Sequence, residues 1–427
     1  METMKLIPTI IASSLLISLG AGSSAFAEEV QITSTAIEVF ETSFTRKGVL
    51  SPDNILDRKD FGSETALITS AQWEGLNLRI RVADEFDHHD GGWRNDGDFD
   101  IQELSYEFVV PDGYRLSLGK LSESWHVGYA FHPLGFFETE LNRDDLSERF
   151  KRSEGLPTIV GGYLADSWDM TLTYSDDTLN TRDGFNRGLR QWGARLGMLS
   201  RSGLETSLVM QKPEHQKIGF GGSAVYVFGN SLEVHGSVFA RQGTRRPLHK
   251  GIQNGELTIY TADPYEESRL KDDKWYARSL VGLQWTSDDQ INVVLEWSHD
   301  RRGLNSNQWD QWKNMVNFHA SSGSLGVSTA GVNGNLKYDA QTLLETGTRQ
   351  DYIFMRVTKG GWDWTPEASV LFGVADASAI WSARLAYTAA TDWDAEVFAQ
   401  FSTGSSNSEF GISPNKGTLG AALRYHF

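Results

Sequence analysis

The 427-residue sequence predicts an all-β chain closed into a single transmembrane antiparallel β-barrel, with about 18 strands (16 to 20) and both termini periplasmic. Three observations predict this class: an export leader, period-two alternation in many segments of about ten residues, and tight turns alternating with long polar connections.

The leader comes first in the chain. Lys5 precedes the apolar run Leu6 to Leu19, and small residues close on Ala25, Phe26 and Ala27. A positive start, an apolar centre and an A-x-A site define a secretory signal peptide. Residues 1–27 are therefore read as cleaved, with Glu28 as the mature start and 28–427 as the barrel. A membrane-anchor helix is the alternative, but the run falls short of the roughly 20 residues a spanning helix needs. No later stretch approaches that length, which excludes a helical membrane protein. The chain has no cysteine, which excludes a disulfide-stapled scaffold in an exported protein. Its net charge of -17 excludes nucleic acid as a partner, since nothing would neutralise a row of phosphates. A large soluble exported β protein would share this composition, so the patterning must separate the two.

A strand in lipid alternates apolar outward with polar or small inward. Leu76, Leu78, Ile80 and Val82 take one face against Asn77, Arg79, Arg81 and Ala83. Arginines at that spacing share a face that cannot meet lipid. The pattern recurs in Tyr114, Leu116 and Leu118 against Arg115, Ser117 and Gly119, and in Leu232, Val234 and Val238 against Glu233, His235 and Ser237. Further on, Ile291, Val293, Leu295 and Trp297 oppose Asn292, Glu296 and Ser298, and Trp381, Ala383, Leu385 and Tyr387 oppose Ser382 and Arg384. Trp393, Ala395, Val397, Ala399 and Phe401 oppose Asp394, Glu396 and Gln400.

Between the segments, tight turns fall at 73–77, 111–114, 200–203, 228–231, 287–290 and 390–392, rich in the Asp, Asn and Gly such turns demand. Long polar stretches fall at 45–62, 85–99, 122–157, 242–274 and 300–335. Asn335 to Leu344 is a further strand candidate, and with a partner at Asn314 to Ala320 it raises the count to about 20. There is no internal repeat and no linker, so the mature chain is one domain.

The last segment places Leu419, Ala421, Leu423, Tyr425 and Phe427 on one face, with Gly420, Ala422, Arg424 and His426 on the other. This ending resembles the carboxy-terminal signature of outer-membrane barrels, in which Tyr425 and Phe427 would be read by the barrel-assembly machinery. A second resemblance lies in Leu118-Gly119-Lys120, Trp125-His126-Val127-Gly128-Tyr129 and Pro133-Leu134-Gly135-Phe136-Phe137. It is similar to the pattern of porin-like and alginate-export-like outer-membrane proteins, although His126 and Val127 stand where that pattern has glycine after tryptophan. The resemblance implies a Gram-negative outer-membrane protein bedded in lipid and lipopolysaccharide. It is structural and assigns no substrate-binding residue.

If the alternation holds, the lumen receives Arg79, Arg81, Arg115, Arg195, Arg241, Arg278, Arg384 and Arg424 together with Glu103, Glu107, Glu233, Glu296, Asp394 and Glu396. Such charges need water or partners. A mixed-sign wall fits passage of small hydrophilic solutes, or export of a polysaccharide, and argues against strong anion selectivity. The alternative reading of the same residues is salt bridges that stiffen the wall or hold a plug. Stretches 122–157, with Trp125, Tyr129 and Arg143, and 241–274, with Arg245, Arg246 and Tyr265, are the candidates for an inward constriction; a lid over the mouth is the alternative. Trp73, Trp168, Trp192, Trp275, Trp285, Trp297, Trp381 and Trp393 are expected in interfacial girdles.

The acidic stretch around Asp84 to Asp100 offers calcium ligands, above all Asp96, Asp98 and Asp100, but no glutamate stands where an EF-hand needs one. No cofactor is otherwise expected. His88 with Asp90 and His299 with Asp300 sit near connections, yet no Gly-x-Ser-x-Gly or His-Glu-x-x-His is present, so the chain is not expected to be an enzyme. A structural or surface-assembly barrel is the remaining class.

Overall fold

The computed structural model describes residues 30–50, 58–89, 92–138, 154–179, 189–244, 273–344 and 348–427, apart from residues 362 and 389–391. Between 244 and 273 it also describes 248–249, 252, 255, 257–260 and 265–266. The proposed leader, Asp90, Arg143, Arg245 and Arg246 lie outside the described residues.

Alternation builds the wall. The strands are β1 (Gln31–Thr45), β2 (Phe61–Trp73), β3 (Leu76–His89), β4 (Gly92–Glu107), β5 (Tyr114–Leu121) and β6 (Leu156–Leu164). Next come β7 (Trp168–Asp176), β8 (Arg190–Leu199), β9 (Glu205–Pro213), β10 (Gly219–Phe228), β11 (Leu232–Gln242) and β12 (Trp275–Thr286). The last six are β13 (Ile291–Asp300), β14 (Asp351–Lys359), β15 (Trp364–Gly373), β16 (Ser378–Thr388), β17 (Trp393–Thr403) and β18 (Asn415–His426). Each strand pairs antiparallel with the next, and β18 returns to β1 from Thr35↔His426 upward, so the 18-stranded sheet closes. Closure leaves no sheet edge, which is what a strand-built membrane crossing requires.

The two faces differ as the period of two demands. On β3, Val82 is 48% exposed on the outer face while its neighbour Arg81 is 1% exposed on the inner one. All eight tryptophans expected in girdles are exposed on the outside, joined by Trp93 and Trp364. Near the short turns they meet tyrosines, with Trp364 on Tyr387 at 4.4 Å and Trp393 on Tyr425 at 4.6 Å. Part of the inner face is also apolar: Ile37, Val39, Ala66, Ile68, Ala83, Phe398 and Ala422 pack into one strip. No helix among the described residues is long and apolar enough to cross a membrane.

Both chain ends described lie at the end of the short turns, where His426 pairs with Thr35. Long connections dominate the opposite end, with exceptions. Stretch 85–99 is not the external loop the sequence suggested: β3 and β4 continue as a paired ribbon to His89↔Gly92. Its acids alternate with Phe86, Trp93 and Phe99, and Phe86 stacks on Trp93 at 4.6 Å, so the strand pattern persists through the charges. A bulge between Arg79 and Ile80 of this pairing leaves Gln102 extra on β4. The bulge shifts parity, so Asp98 and Asp100 on one side of it and Glu103 and Ser105 on the other all face inward.

The expected extra strands at Asn314 to Ala320 and Asn335 to Leu344 are helices instead, α1 (Ser306–Ser321) and α2 (Thr329–Leu344). The reason is periodicity: Trp309, Trp312, Val316 and His319 are buried at helical spacing, and Asn305 with Gln308 forms a capping box. The strand count stays at the favoured 18. A one-turn helix, α3 (Glu409–Ile412), lies between β17 and β18.

Candidate functional site

The connection from β5 to β6 enters the barrel. Trp125, Leu134, Phe136 and Phe137 pack on Val209 of β9 and Phe239 of β11. Ala130 and Phe131 pack on Leu280 of β12, Tyr352 of β14 and Ile380 of β16. One short segment touches the same face of strands far apart around a closed sheet, so it lies in the lumen. The wall makes room for it at glycine: a Cβ at Gly193 of β8 would stand 2.6 Å from the Trp125 and Phe137 rings. A side chain there would push the segment off the wall.

A single carboxylate latches it. Glu296 of β13 is fully buried and accepts hydrogen bonds from the backbone N–H groups of Tyr129 and Ala130, the latter at 2.8 Å. Its Oε1 also lies 3.2 Å from His235 Nε2, whose other nitrogen faces Glu233 at 3.1 Å. Two charge-assisted bonds to adjacent amides fix the segment's position as a side-chain contact alone would not. Tyr129 then stacks on Phe354 at 5.7 Å, with the Arg356 guanidinium 4.7 Å from its ring centroid.

The sequence-predicted charges share this inner face, and most are paired with neighbours along the wall. Arg81 bonds Asp98 at 2.7 Å and Glu64 at 2.5 Å, while Arg79 donates to Gln102 at 2.9 Å. Arg195 meets Asp169 at 2.6 Å, Arg115 meets Glu123 at 3.3 Å, and Arg241 donates to Gln211 at 3.0 Å. Arg278 sits over Phe136 and Phe239, at 5.7 Å and 5.4 Å. Glu396 gathers Arg384 at 2.6 Å and Arg424 at 3.2 Å, beside Asp394, which meets His426 at 2.9 Å. Glu103 accepts from Ser105, and Glu107 is exposed at the short-turn end of β4. The acidic candidates for calcium lie on strand β4, where Asp98 faces Arg81 and Asp100 is 3.6 Å from Lys120.

Sequence reasoning missed Arg356 and its partner Glu367, 2.8 Å apart, and Glu64, and took Asp98 for a calcium ligand where the structure makes it a partner of Arg81. Arg356 was legible: it alternates with Ile353, Met355 and Val357. The expected assembly signal faces out, with Tyr425 against Phe427 at 4.6 Å and Phe427 70% exposed.

The second constriction candidate, 241–274, contributes elsewhere. Ile252 joins Leu50, Leu304, Trp309, Trp312, Met315, Val316, Leu336, Ala340 and Ile412 in a separate apolar core. Four long connections thus build a cap at their end of the barrel. At its centre His319 lies 2.7 Å from Asp339 and donates from Nε2 to the Thr258 carbonyl at 2.8 Å. The Tyr260 hydroxyl donates to Asp339 at 3.0 Å. Burial works against a charged His319, but the Asp339 carboxylate and the Thr258 carbonyl outweigh it and raise the imidazole above its ordinary 6.5. Burial also raises the Asp339 carboxyl, a rise its neighbours only partly offset.

No protein-family model matches this sequence. No curated protein matches it either. Among solved structures it is similar to Pseudomonas aeruginosa OccK1 (OpdK), with a TM-score of 0.52 and 9% identity over 94% of this chain and 100% of that one. Acinetobacter baumannii OccAB1 gives 0.52 and 9% over 94% and 97%. Pseudomonas aeruginosa OccK5 (OpdH) gives 0.50 and 8% over 95% and 99%. At such identity the likeness is one of fold, a closed antiparallel β-barrel.

Proposed function

We propose that this chain is a channel in the outer membrane of a Gram-negative bacterium, passing small hydrophilic solutes through a lumen narrowed by residues 122–137. The single observation that carries the proposal is the Glu296 latch, which holds a segment across the bore of a closed barrel. A barrel needed only as a scaffold has no use for a buried carboxylate that fixes a loop in its interior. The latched segment favours small solutes over a polysaccharide, which would have to thread past it. In this reading the signal peptide, residues 1–27, is removed, both termini face the periplasm, and the long connections with their cap face outward toward lipopolysaccharide. Catalysis plays no part in it.

The paired charges favour a lumen with little preference for either sign. OpdK has been solved with vanillate, so solutes of that size are the first to test. The purified protein in a planar bilayer is expected to open in discrete conductance steps, and removal of residues 123–137 is expected to enlarge them. A second reading, a surface-assembly barrel, is favoured by the cap, a small folded unit with its own core. Absence of conductance from both intact and loop-deleted protein would replace the channel reading with that one.

A further inference from the structure

The inward segment carries a cluster that the channel reading does not use. His126, His132 and Glu138 offer three ligand atoms within 4.8 Å of one another. His126 Nε2 lies 3.4 Å from Glu138 Oε2, and His132 Nδ1 lies 3.1 Å from Glu138 Oε1. The tetrahedral edge of a zinc site with bonds of about 2.0–2.1 Å is about 3.3 Å.

The remaining ring nitrogens decide what these atoms present. His126 Nδ1 lies 3.0 Å from the Gly128 carbonyl, and His132 Nε2 lies 3.3 Å from the Tyr129 carbonyl. A carbonyl oxygen only accepts, so each of these nitrogens carries the N–H. In the neutral ring the lone pair is then on the nitrogen turned toward Glu138. The two rings stack in parallel, 3.5 Å between centroids and 8° between planes, with both lone pairs aimed at one carboxylate. Glu138 Oε1 is buried and faces His132 Nδ1. With both rings neutral, three lone-pair donors converge on one point and repel one another unless a cation, either a metal ion or a proton on each ring, stands between them. Backbone carbonyls orienting the second nitrogen of each imidazole are what metal-binding histidines use to fix their tautomer.

We propose that His126, His132 and Glu138 form a binding site for a divalent transition-metal ion of the zinc class. Two imidazoles and one carboxylate leave a fourth position open, and imidazole nitrogen selects against calcium and magnesium. The ion ties residue 126 to residue 138, clasping the inward segment at its two ends. The site does not depend on what passes through the barrel.

The test is metal binding by the full-length, chelator-stripped barrel in detergent. Competition with a chromogenic chelator is expected to give one tight Zn2+ per chain, and Co2+ is expected to give the intense visible bands of a four-coordinate site. His126→Ala, His132→Ala and Glu138→Gln are each expected to weaken Zn2+ by roughly a hundredfold or more, while His88→Ala in the β3–β4 ribbon leaves it unchanged. Heat-modifiable migration on gels checks that every variant retains the barrel. Equal Zn2+ affinity in folded wild type and variants, or a Co2+ spectrum without those bands, would overturn the proposal and leave two imidazolium–carboxylate ion pairs.

Discussion

At the scale of single residues, Glu296 separates positioning from packing. Hydrogen bonds to a charged group are each worth about 1.5–3 kcal/mol, so Glu296→Ala strips most of the free energy that orients Tyr129 and Ala130. The expected outcome is a folded barrel with larger single-channel conductance; unchanged conductance would mean that the aromatic contacts alone hold the segment. The period of two brought Glu296 to the inner face, but its role was not legible. Nothing in the Glu296 environment along the chain points to Tyr129 and Ala130, more than 160 residues earlier. Arg81 is similar: alternation gives its side of the sheet, whereas its partners Glu64 and Asp98 follow only from register.

At the scale of elements, facing is the most direct check. Cysteines placed singly in this cysteine-free chain at Leu78 and Val82 are expected to react with lipid-phase reagents, and those at Asn77 and Arg79 with aqueous ones. Reversal of the two sets would move β3 by one residue and invert its wall. Arg81 is left intact because its removal strands Glu64 and Asp98 without their cation. The strands were readable because each meets lipid on one face, which forces a strict alternation. The cap was not, since its two helices meet water on one side and other loops on the other, and short apolar runs fit either period. Its His319–Asp339 pair makes it sensitive to pH. His319 binds its proton more tightly folded than unfolded, so the imidazolium's contribution is fully present below its ordinary value of 6.5. It is lost as pH rises through the elevated folded value. Hydrogen exchange in α1 and α2, corrected for intrinsic rates, is expected to accelerate relative to the barrel strands on going from pH 6 to pH 9. Uniform protection across that interval would show that the pair is indifferent to the cap's stability.

At the scale of the whole molecule, opposite charges on the inner wall are coupled between neighbouring strands, as in Arg356 with Glu367 and Arg384 with Glu396. Paired this way, the wall projects only a weak net field into the lumen. A reversal potential near zero in asymmetric potassium chloride is the expected result, and a strong preference for either ion would show that unpaired groups line the narrowest point. Fold class, strand number and outward girdles were all carried by local pattern, because a lipid environment imposes the same rule on every strand. The inward segment and the cap depend on contacts between distant stretches, which no local pattern encodes. The cap has one more implication, for the order of events in biogenesis. Its core draws Leu50 from the first connection and Ile412 from the last, together with Ile252, Leu304 and the stacked Trp309 and Trp312. Pairing of β18 with β1 brings Leu50 and Ile412 together, so the cap's core is expected to complete only after ring closure. Burial of Trp309, whose indole donates to the Asn407 carbonyl in the last connection, would therefore time the moment at which the nascent cylinder is sealed.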